Sequence, residues 1–220
     1  MALSIPLLKI KGIVDSLIDY ARDDLKLTID EGREQESFLY LILNGNNSDG
    51  YDFYTQAKSV FSRTEESRTK ITTGLAYPKD MSPAPYIWIR EPARAKGQTN
   101  SIGKLTGDTI DFGTSFRQEY RDDKHAIYEA VVMSKNYIES IMVSEVLYAL
   151  FMGSYDLLAQ MFNLAEVNMK ELVMNNDNIP SYMLVSRALT IDVDFDNYIP
   201  SVSSQELVNK IRFNGIPING

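Results

Sequence analysis

The chain has 220 residues, of which 44% are hydrophobic and 24% are charged, and it contains no cysteine. A chain of this size and composition can bury a large core without crosslinks, and the lack of cysteine excludes disulfides, thiolate metal sites and cysteine nucleophiles. The formal net charge of −8 argues against a protein whose surface as a whole binds nucleic acid or an anionic membrane, because phosphate contacts require concentrated Lys and Arg.

The first third of the chain predicts helices and a polar region. Apolar residues recur at helical spacing over residues 10–27, with acidic residues between them, which is typical of an amphipathic helix. The apolar run 38–43 is too short for its periodicity to separate a strand from a helix. Residues 44–50, NGNNSDG, predict a loop, and a short helix is predicted at 55–61. We interpret the polar region at about 44–83 as an insertion or an arm.

The middle of the chain predicts strands. Tyr86 to Ile89, between prolines, reads as a strand that stops before Pro92, which cannot donate to a ladder. Residues 90–107 follow as a flexible basic loop. The segment SFRQEYRDDKHAIYEAVVMS predicts two strands joined by a hairpin turn at RDDK, residues 121–124.

The second half predicts the longest apolar helix and the last strands. From Tyr137 to Gly153 the chain is apolar on nearly every side, so we expect this helix to pack on a sheet and on a partner as well. A further helical piece is predicted at 157–162. Later strands include TIDVDFDN, residues 190–197. Its alternation predicts that Ile191, Val193 and Phe195 face a core, while Asp192, Asp194 and Asp196 face water.

These elements predict one α+β domain over residues 1–220, with a mainly antiparallel sheet flanked by the N-terminal amphipathic helix and the long central helix, one helix at each side. The first residues, MALSIPLLKIKG, lack the basic region and the cleavage site of a secretory signal, and no apolar stretch approaches the length of a membrane span. We therefore expect a soluble protein made in a cytoplasm.

Three motifs resemble known sites but fail in their spacing or their context. In KGQTNSIGKL five residues separate Gly97 from Gly103, and Leu105 follows Lys104, so the phosphate loop has the wrong spacing and no magnesium ligand. The alternate aspartates of residues 192–196 lack the glycine and the glutamate of a calcium loop. His125, the single histidine, reads as a solvated residue beside the hairpin turn. We therefore predict no catalytic residue, no metal and no cofactor.

Two groups of residues predict contacts with other molecules. The first is a basic contact loop, since cations outnumber acids here in an otherwise acidic chain, and it would face an acidic neighbour or a nucleic-acid backbone. Its cations are Arg90, Arg94, Lys96 and Lys104. The second is an interface on the central helix, because Tyr and Met are favoured at adaptable protein contacts. Its residues are Tyr137, Met142, Tyr148, Phe151 and Met152.

The order of elements resembles the tail-terminator and neck-ring proteins of tailed bacteriophages. The resemblance rests on the strand PYIWIREP, the glycine-rich loop, the strand IYEAVVMSKN that leads into the helix YIESIMVSEVLYALF through a Ser-x-Asn turn, and the late strand ALTIDVDFD. It implies a virion structural protein without an active site. Such proteins form sixfold or twelvefold rings that cap the tail tube or join it to the head, with neighbouring neck or tail proteins bound and DNA passing through the lumen without sequence-specific binding.

Two alternatives stay open from the sequence. A cytoplasmic adaptor domain would use the same apolar helix as the partner of a groove, and it would be a stable monomer. A carboxylate-based metal hydrolase would need two or three acids brought together from separate elements, and cleavage that depends on magnesium or manganese would identify it.

Overall fold

The computed structural model describes residues 6–48, 50–62, 70–76, 85–96, 104–111, 116–172 and 185–200. The sequence also predicts a capped helical turn or short strand at residues 204–210 and an edge segment with a turn at residues 211–220, and both lie outside the described residues. For the outer parts of the long strands, only the backbone is described.

The described chain contains five α-helices and eight strands. The helices are α1 (Pro6–Asp30), α2 (Phe38–Leu43), α3 (Phe53–Phe61), α4 (Tyr137–Gly153) and α5 (Tyr155–Phe162). The strands are β1 (Asn47–Ser48), β2 (Tyr51–Asp52), β3 (Thr72–Gly74), β4 (Tyr86–Lys96), β5 (Lys104–Asp111), β6 (Phe116–Ser134), β7 (Leu164–Leu172) and β8 (Val185–Pro200).

Helix α1 confirms the predicted amphipathic helix and extends it at both ends. Its apolar stripe, which includes Val14, Ile18 and Ala21, is buried. After Asp30 the chain turns at Gly32, whose φ of 68° lies in the left-handed region that glycine adopts without steric cost. The helix therefore ends where the sequence supplies a residue for the turn.

The run FLYLIL, for which the sequence could not separate strand from helix, forms helix α2, and a capping residue explains why. The hydroxyl of Ser37 accepts a hydrogen bond from the backbone N–H of Tyr40 at 3.2 Å. The backbone N–H of Phe38 donates to the Asp24 carboxylate of α1 at 2.7 Å, which joins the two helices. Two donors of the first turn are therefore satisfied by side chains, as a helix start requires.

The first part of the predicted polar insertion belongs to the folded body. The loop at 44–50 carries the short β1–β2 hairpin, and Asp52 caps α3 by accepting from the backbone N–H groups of Tyr54 and Thr55. Helix α3 contacts α1, α2 and α4, and its residues Ala57 and Val60 are buried. Residues 53–61 are thus part of the helical layer, which corrects the interpretation of this stretch as an arm.

The main sheet is mixed and mostly antiparallel, which confirms the predicted α+β class. Its strand order is β3-β4-β6-β8-β7, and β5 pairs with β6 outside this path. Strands β3 and β4 are parallel, whereas the β5–β6 and β7–β8 pairs are antiparallel.

Helices α1 and α4 share one face of the sheet. They contact each other, α1 contacts β3, and α4 contacts β7, and these two strands lie at opposite ends of the strand order. Helices on opposite faces would be separated by the sheet and could not touch. The expected arrangement, with one helix at each side, is therefore wrong in this detail.

Two strands are longer than predicted. Strand β4 continues past Pro92 to Lys96, because a proline removes one ladder hydrogen bond without ending the extended backbone. Strand β6 runs without interruption through RDDK, where a hairpin turn was expected. RDDK contains no Gly, Asn or Pro, and its two aspartates, although common in turns, do not reverse the chain here.

The chain divides into two compact units. One comprises Ile5–Ala95 and His125–Asp194 and contains all five helices and the described core. The other comprises Met1–Ser4, Lys96–Lys124 and Phe195–Gly220, and its described part consists of strands. The prediction of a single domain stays a prediction.

Candidate interaction surface

The start of α4 is fixed by the Ser-x-Asn turn that the sequence predicted. Ser134, the last residue of β6, accepts a hydrogen bond from the backbone N–H of Asn136 at 3.2 Å, and its hydroxyl donates to Glu139. The side-chain oxygen of Asn136 then accepts from the backbone N–H of Ile138 at 3.0 Å. The turn therefore sets where α4 leaves the sheet.

One side of α4 forms part of the core. Met142 and Phe151 are both 0% exposed, and the buried set also includes Val146 and Leu147. Met142 and Phe151 were predicted as interface residues, but their side chains are already enclosed by their own chain. Some of the methionine and phenylalanine side chains of this helix therefore pack in the core and are not available to a partner.

The opposite side of α4 carries a stripe that its own chain leaves open. Tyr137, Ile141, Glu145, Tyr148 and Met152 follow one another at helical spacing, so they share one face. Tyr137 and Met152, at the two ends, are each 46% exposed, while Ile141 and Tyr148 are half-buried. Three of the predicted interface residues, Tyr137, Tyr148 and Met152, are thus brought together on one surface, which we call the α4 stripe.

A cleft of about 500 Å³ lies beside this stripe, between α4 and the segment that leads from α2 into α3. We call it the α4 cleft. Most of its lining side chains are apolar, but polar and apolar atoms contribute about equally to its accessible surface. Its lining residues are Ile42, Leu43, Gly45, Asn46, Phe53, Ile141, Glu145, Tyr148 and Ala149. A cleft of this size with both kinds of surface has the dimensions of a binding site.

The single charged residue that lines the α4 cleft is already paired. Glu145 accepts a hydrogen bond from the guanidinium of Arg187, on β8, at 3.1 Å. A molecule that covers the cleft would therefore bury an ion pair and not a lone carboxylate, which removes the largest electrostatic cost of binding.

Helix α5 presents a second apolar surface in a different direction. It is bent by 68° from α4, and Leu157 and Met161, four residues apart on its outer face, are 58% and 62% exposed. We call these two side chains the α5 knob. No described helix alone is long and apolar enough to cross a bilayer. The bent pair α4 and α5 has the necessary length and apolar composition only when the two helices are taken together.

The predicted basic contact loop is mostly strand. Arg90, Arg94 and Lys96 lie in β4, and Lys104 begins β5, so that only residues 97–103 lie between the two strands, outside the described residues. The side chains of Arg94, Lys96 and Lys104 are outside the described part as well.

Arg90 belongs to a row of charges across the sheet that the sequence analysis missed. Glu129 of β6 is 2% exposed and pairs with Arg90 at 2.5 Å and with Lys170 of β7. Lys170 is paired in register with Ala188 of β8, whose small side chain leaves room for the lysine to reach Glu129. The guanidinium of Arg90 also lies 4.8 Å from the centroid of the Trp88 ring. The signal in the sequence was a glutamate inside the apolar run AIYEAVV, since a buried acid needs partners.

His125 lies in β6 and not beside a turn, which corrects its prediction as a hairpin residue. Its Nδ1 is 2.9 Å from the Asp194 carboxylate, and its Nε2 is 3.7 Å from that of Asp192. Burial and the negative charges of Glu166 and Asp194 raise the pKa of Asp192, and His125 opposes this. Within the described side chains, no three His, Asp or Glu groups are placed to hold a metal ion.

Comparison of the sequence with protein-family models and with curated proteins finds no significant match. The resemblance to tail-terminator and neck-ring proteins therefore stays a prediction.

Proposed function

We propose that this chain is a structural subunit of a tailed-phage virion, which assembles with copies of itself into a ring at the neck or at the end of the tail. The observation that carries the proposal is the α4 stripe, in which Tyr137 and Met152 are exposed and Tyr148 is half-buried beside the α4 cleft, on a helix whose other side is core. A helix that is apolar on both sides is typical of a subunit with a second contact to make.

The exposed apolar side chains of α4 fit a protein partner. Burying one large apolar side chain stabilises a contact by roughly 1.5–3 kcal/mol, so a few such residues can hold a subunit in place once the cost of association is met. Tyrosine and methionine suit such a surface because the first combines a large ring with a hydrogen-bonding hydroxyl and the second adapts its shape.

The charge of the chain fits passage of DNA through the ring. With a net charge of −8, a lumen built from such subunits would repel phosphates, and DNA would slide through it without sequence-specific binding. The partners in this proposal are other copies of the chain and the adjacent neck or tail proteins. The location is the virion, after synthesis in the host cytoplasm.

Electron microscopy of the purified chain, alone and mixed with candidate neck and tail proteins, tests this proposal. We expect closed rings of one size, with a mass by native mass spectrometry that is an integral multiple of the 24.9 kDa chain. A chain that stays monomeric both alone and in every mixture would contradict the proposal.

The α4 cleft also favours a second candidate function, a protein-interaction domain of the adaptor type. Grooves lined by apolar side chains are used to bind amphipathic helices of partner proteins. This function predicts a stable monomer at micromolar concentration that captures a helical peptide in the cleft. Native mass spectrometry separates the two functions, because only the adaptor leaves the free chain monomeric in all mixtures of virion proteins.

A further inference from the structure

We infer that residues 70–76, which we call the strap, open and close over the edge of β4 while the rest of the compact unit that contains the helices stays folded. Strand β3 lies at one end of the strand order, beside β4, so the strap covers the backbone of residues 86–88. An uncovered strand edge can pair with other chains, and proteins protect such edges. The inference concerns a device of the fold and does not rest on the proposed function.

The strap is attached to the sheet by a short ladder. Its strand, β3, has three residues and pairs in parallel with β4, from Thr72 opposite Tyr86 to Gly74 opposite Trp88. The backbone N–H of Thr72 also donates to the oxygen of Pro85 at 3.2 Å. Parallel pairing is slightly less stable per residue than antiparallel pairing. By contrast, the antiparallel pairing of β7 with β8 extends along the whole of β7. The ladder alone therefore holds the strap weakly.

Little apolar surface holds the strap in place. Ile71 is 2% exposed and is the one strap residue in the described core, whereas Leu75 is 37% exposed and Ala76 is exposed as well. Burial of apolar side chains is the main source of stability of a folded chain. A segment that buries one such side chain is therefore expected to open at a lower free energy than the body around it.

The strap also packs loosely against α1. A cleft of about 440 Å³ lies between them, lined by Asp15, Ile18, Asp19 and Arg22 of α1 and by residues 70–73 of the strap. Atoms that border a gap have fewer van der Waals partners than atoms in a close-packed core. The strap therefore loses fewer contacts on opening than a segment packed tightly on the helix would lose.

Two side chains of α1 hold the strap by hydrogen bonds across this cleft. The guanidinium of Arg22 donates to the backbone oxygen of Ile71 at 3.1 Å. The carboxylate of Asp15 accepts a hydrogen bond from the Thr73 hydroxyl. Both bonds are only partly buried, so water can replace them when the strap moves away.

Two aromatic side chains of β4 hold the other end of the strap. The Tyr86 hydroxyl donates to the backbone oxygen of Ala76 at 3.0 Å, and its ring lies against Gly74. The indole N–H of Trp88 donates to the backbone oxygen of Leu75 at 3.2 Å. These two bonds are exposed to water. The strap is thus closed by individual side-chain bonds at its margins more than by a core of its own.

Amide hydrogen exchange of the full chain, measured residue by residue by NMR, tests the inference with two matched variants. Tyr86→Phe removes the bond to Ala76 and keeps the ring. Tyr155→Phe removes an equivalent bond outside the strap, in which the tyrosine hydroxyl donates to the backbone oxygen of Ala165 at 2.8 Å. We expect Tyr86→Phe to accelerate exchange of the Thr72 amide about threefold to tenfold, the factor that corresponds to one hydrogen bond. Tyr155→Phe should leave this rate unchanged.

A core variant separates opening of the strap from unfolding of the whole unit. Val143→Ala removes buried atoms from α4 and lowers the stability of the fold. It should accelerate exchange of amides that open only by global unfolding, such as that of the buried Leu147, and leave the Thr72 amide unchanged. In the wild type, the Thr72 amide should be protected but should exchange faster than the Leu147 amide. Circular dichroism checks that each variant folds.

The exchange rates decide between the outcomes. Acceleration of the Thr72 amide by Tyr86→Phe alone supports the inference. Acceleration by both tyrosine variants alike, or by neither, overturns it, and so does a Thr72 amide that Val143→Ala accelerates as much as the Leu147 amide. A Thr72 amide without protection in the wild type overturns it as well, because the strap would then have no closed state.

Discussion

At the scale of single residues, the charged groups inside the sheet matter most for stability. Glu129 is almost fully buried and serves two cations, Arg90 and Lys170, which remain partly exposed. A buried carboxylate keeps its charge only when its partners compensate for lost hydration. Its removal leaves two cations close together without their common anion.

Glu129→Gln is expected to destabilise the fold by about 2–3 kcal/mol, below the usual cost of breaking a fully buried pair because water screens the two cations. Urea unfolding measures the change. The matched exchange Glu166→Gln, at an exposed residue of β7, should change stability by less than about 0.5 kcal/mol. A loss for Glu129→Gln that is no larger than this control would contradict a structural role for the charge row.

The raised pKa of Asp192 predicts an unusual dependence of stability on pH. Because burial and the nearby Glu166 and Asp194 raise its pKa, the folded chain binds this proton more tightly than the unfolded chain. The contribution of Asp192 to stability is therefore greatest below its unfolded pKa, and it declines as the pH rises from there through the folded pKa.

Asp192→Asn removes this ionisation, so we expect the variant to be more stable than the wild type at neutral pH. The difference should vanish below about pH 3, where the carboxyl is protonated in both states. Thermal unfolding across this pH range measures it, with Asp23→Asn on the exposed side of α1 as the control. A variant that loses stability at neutral pH would show that attraction to His125 outweighs burial.

At the scale of helices and strands, the sequence predicted elements whose pattern is repeated over many residues. Helix α1 and the alternation of Ile191 and Val193 in β8 follow from periodicity alone, whereas α4 follows from a long segment that is apolar on nearly every side. The predictions that were undecided or wrong concern short segments, in which one or a few residues determine the structure. A single capping residue, Ser37, makes FLYLIL a helix, and the polar RDDK continues β6 because polarity by itself does not bend a chain.

The cap of α4 gives a prediction at this scale. Asn136→Ala should destabilise the fold by about 1 kcal/mol, because the N–H of Ile138 loses its acceptor at the start of the helix. Asn136→Asp should restore most of this loss, since aspartate caps equally well. Urea unfolding of the wild type and the two variants measures their free energies of unfolding and checks this order. Equal stabilities for Ala and Asp at this position would contradict a capping role.

Strand β3 depends on the smallest side chain. A Cβ added at Gly74 would lie 1.9 Å from the Tyr86 hydroxyl, which donates to the backbone oxygen of Ala76 at 3.0 Å. Gly74→Ala should therefore displace the Tyr86 ring and destabilise the fold by about 1–3 kcal/mol. The cost should be smaller in a Tyr86→Phe background, and a double-mutant cycle by urea unfolding measures the difference. An equal cost in both backgrounds would show that the ring is not what the methyl group meets.

At the scale of the whole molecule, the sequence identified the surface only in part. The composition of α4 pointed to an interface, but it could not separate Tyr137 and Met152, which face outward, from Met142 and Phe151, which face the core. The α4 cleft could not be predicted, because its walls come from segments about a hundred positions apart in the chain. Such a site exists only after the helices have packed.

If copies associate through the α4 stripe, as proposed, the contact should not depend on unpaired charges. Because Glu145, the one charged residue of the adjoining cleft, already has Arg187 as its partner, raising the sodium chloride concentration should leave assembly unchanged or strengthen it. Sedimentation at several salt concentrations checks this. Dissociation at high salt would indicate that charged residues outside the cleft hold the copies together.

The bend between α4 and α5 would have a consequence for the number of copies in the proposed ring. If copies meet through surfaces on both helices, the direction in which α5 leaves α4 sets the rotation from one copy to the next. One residue inserted at Ser154, in the break between the two helices, would change this direction. Such a change would redirect growth into an open spiral, and shifts of a few degrees at this joint would separate a small circle from a larger one.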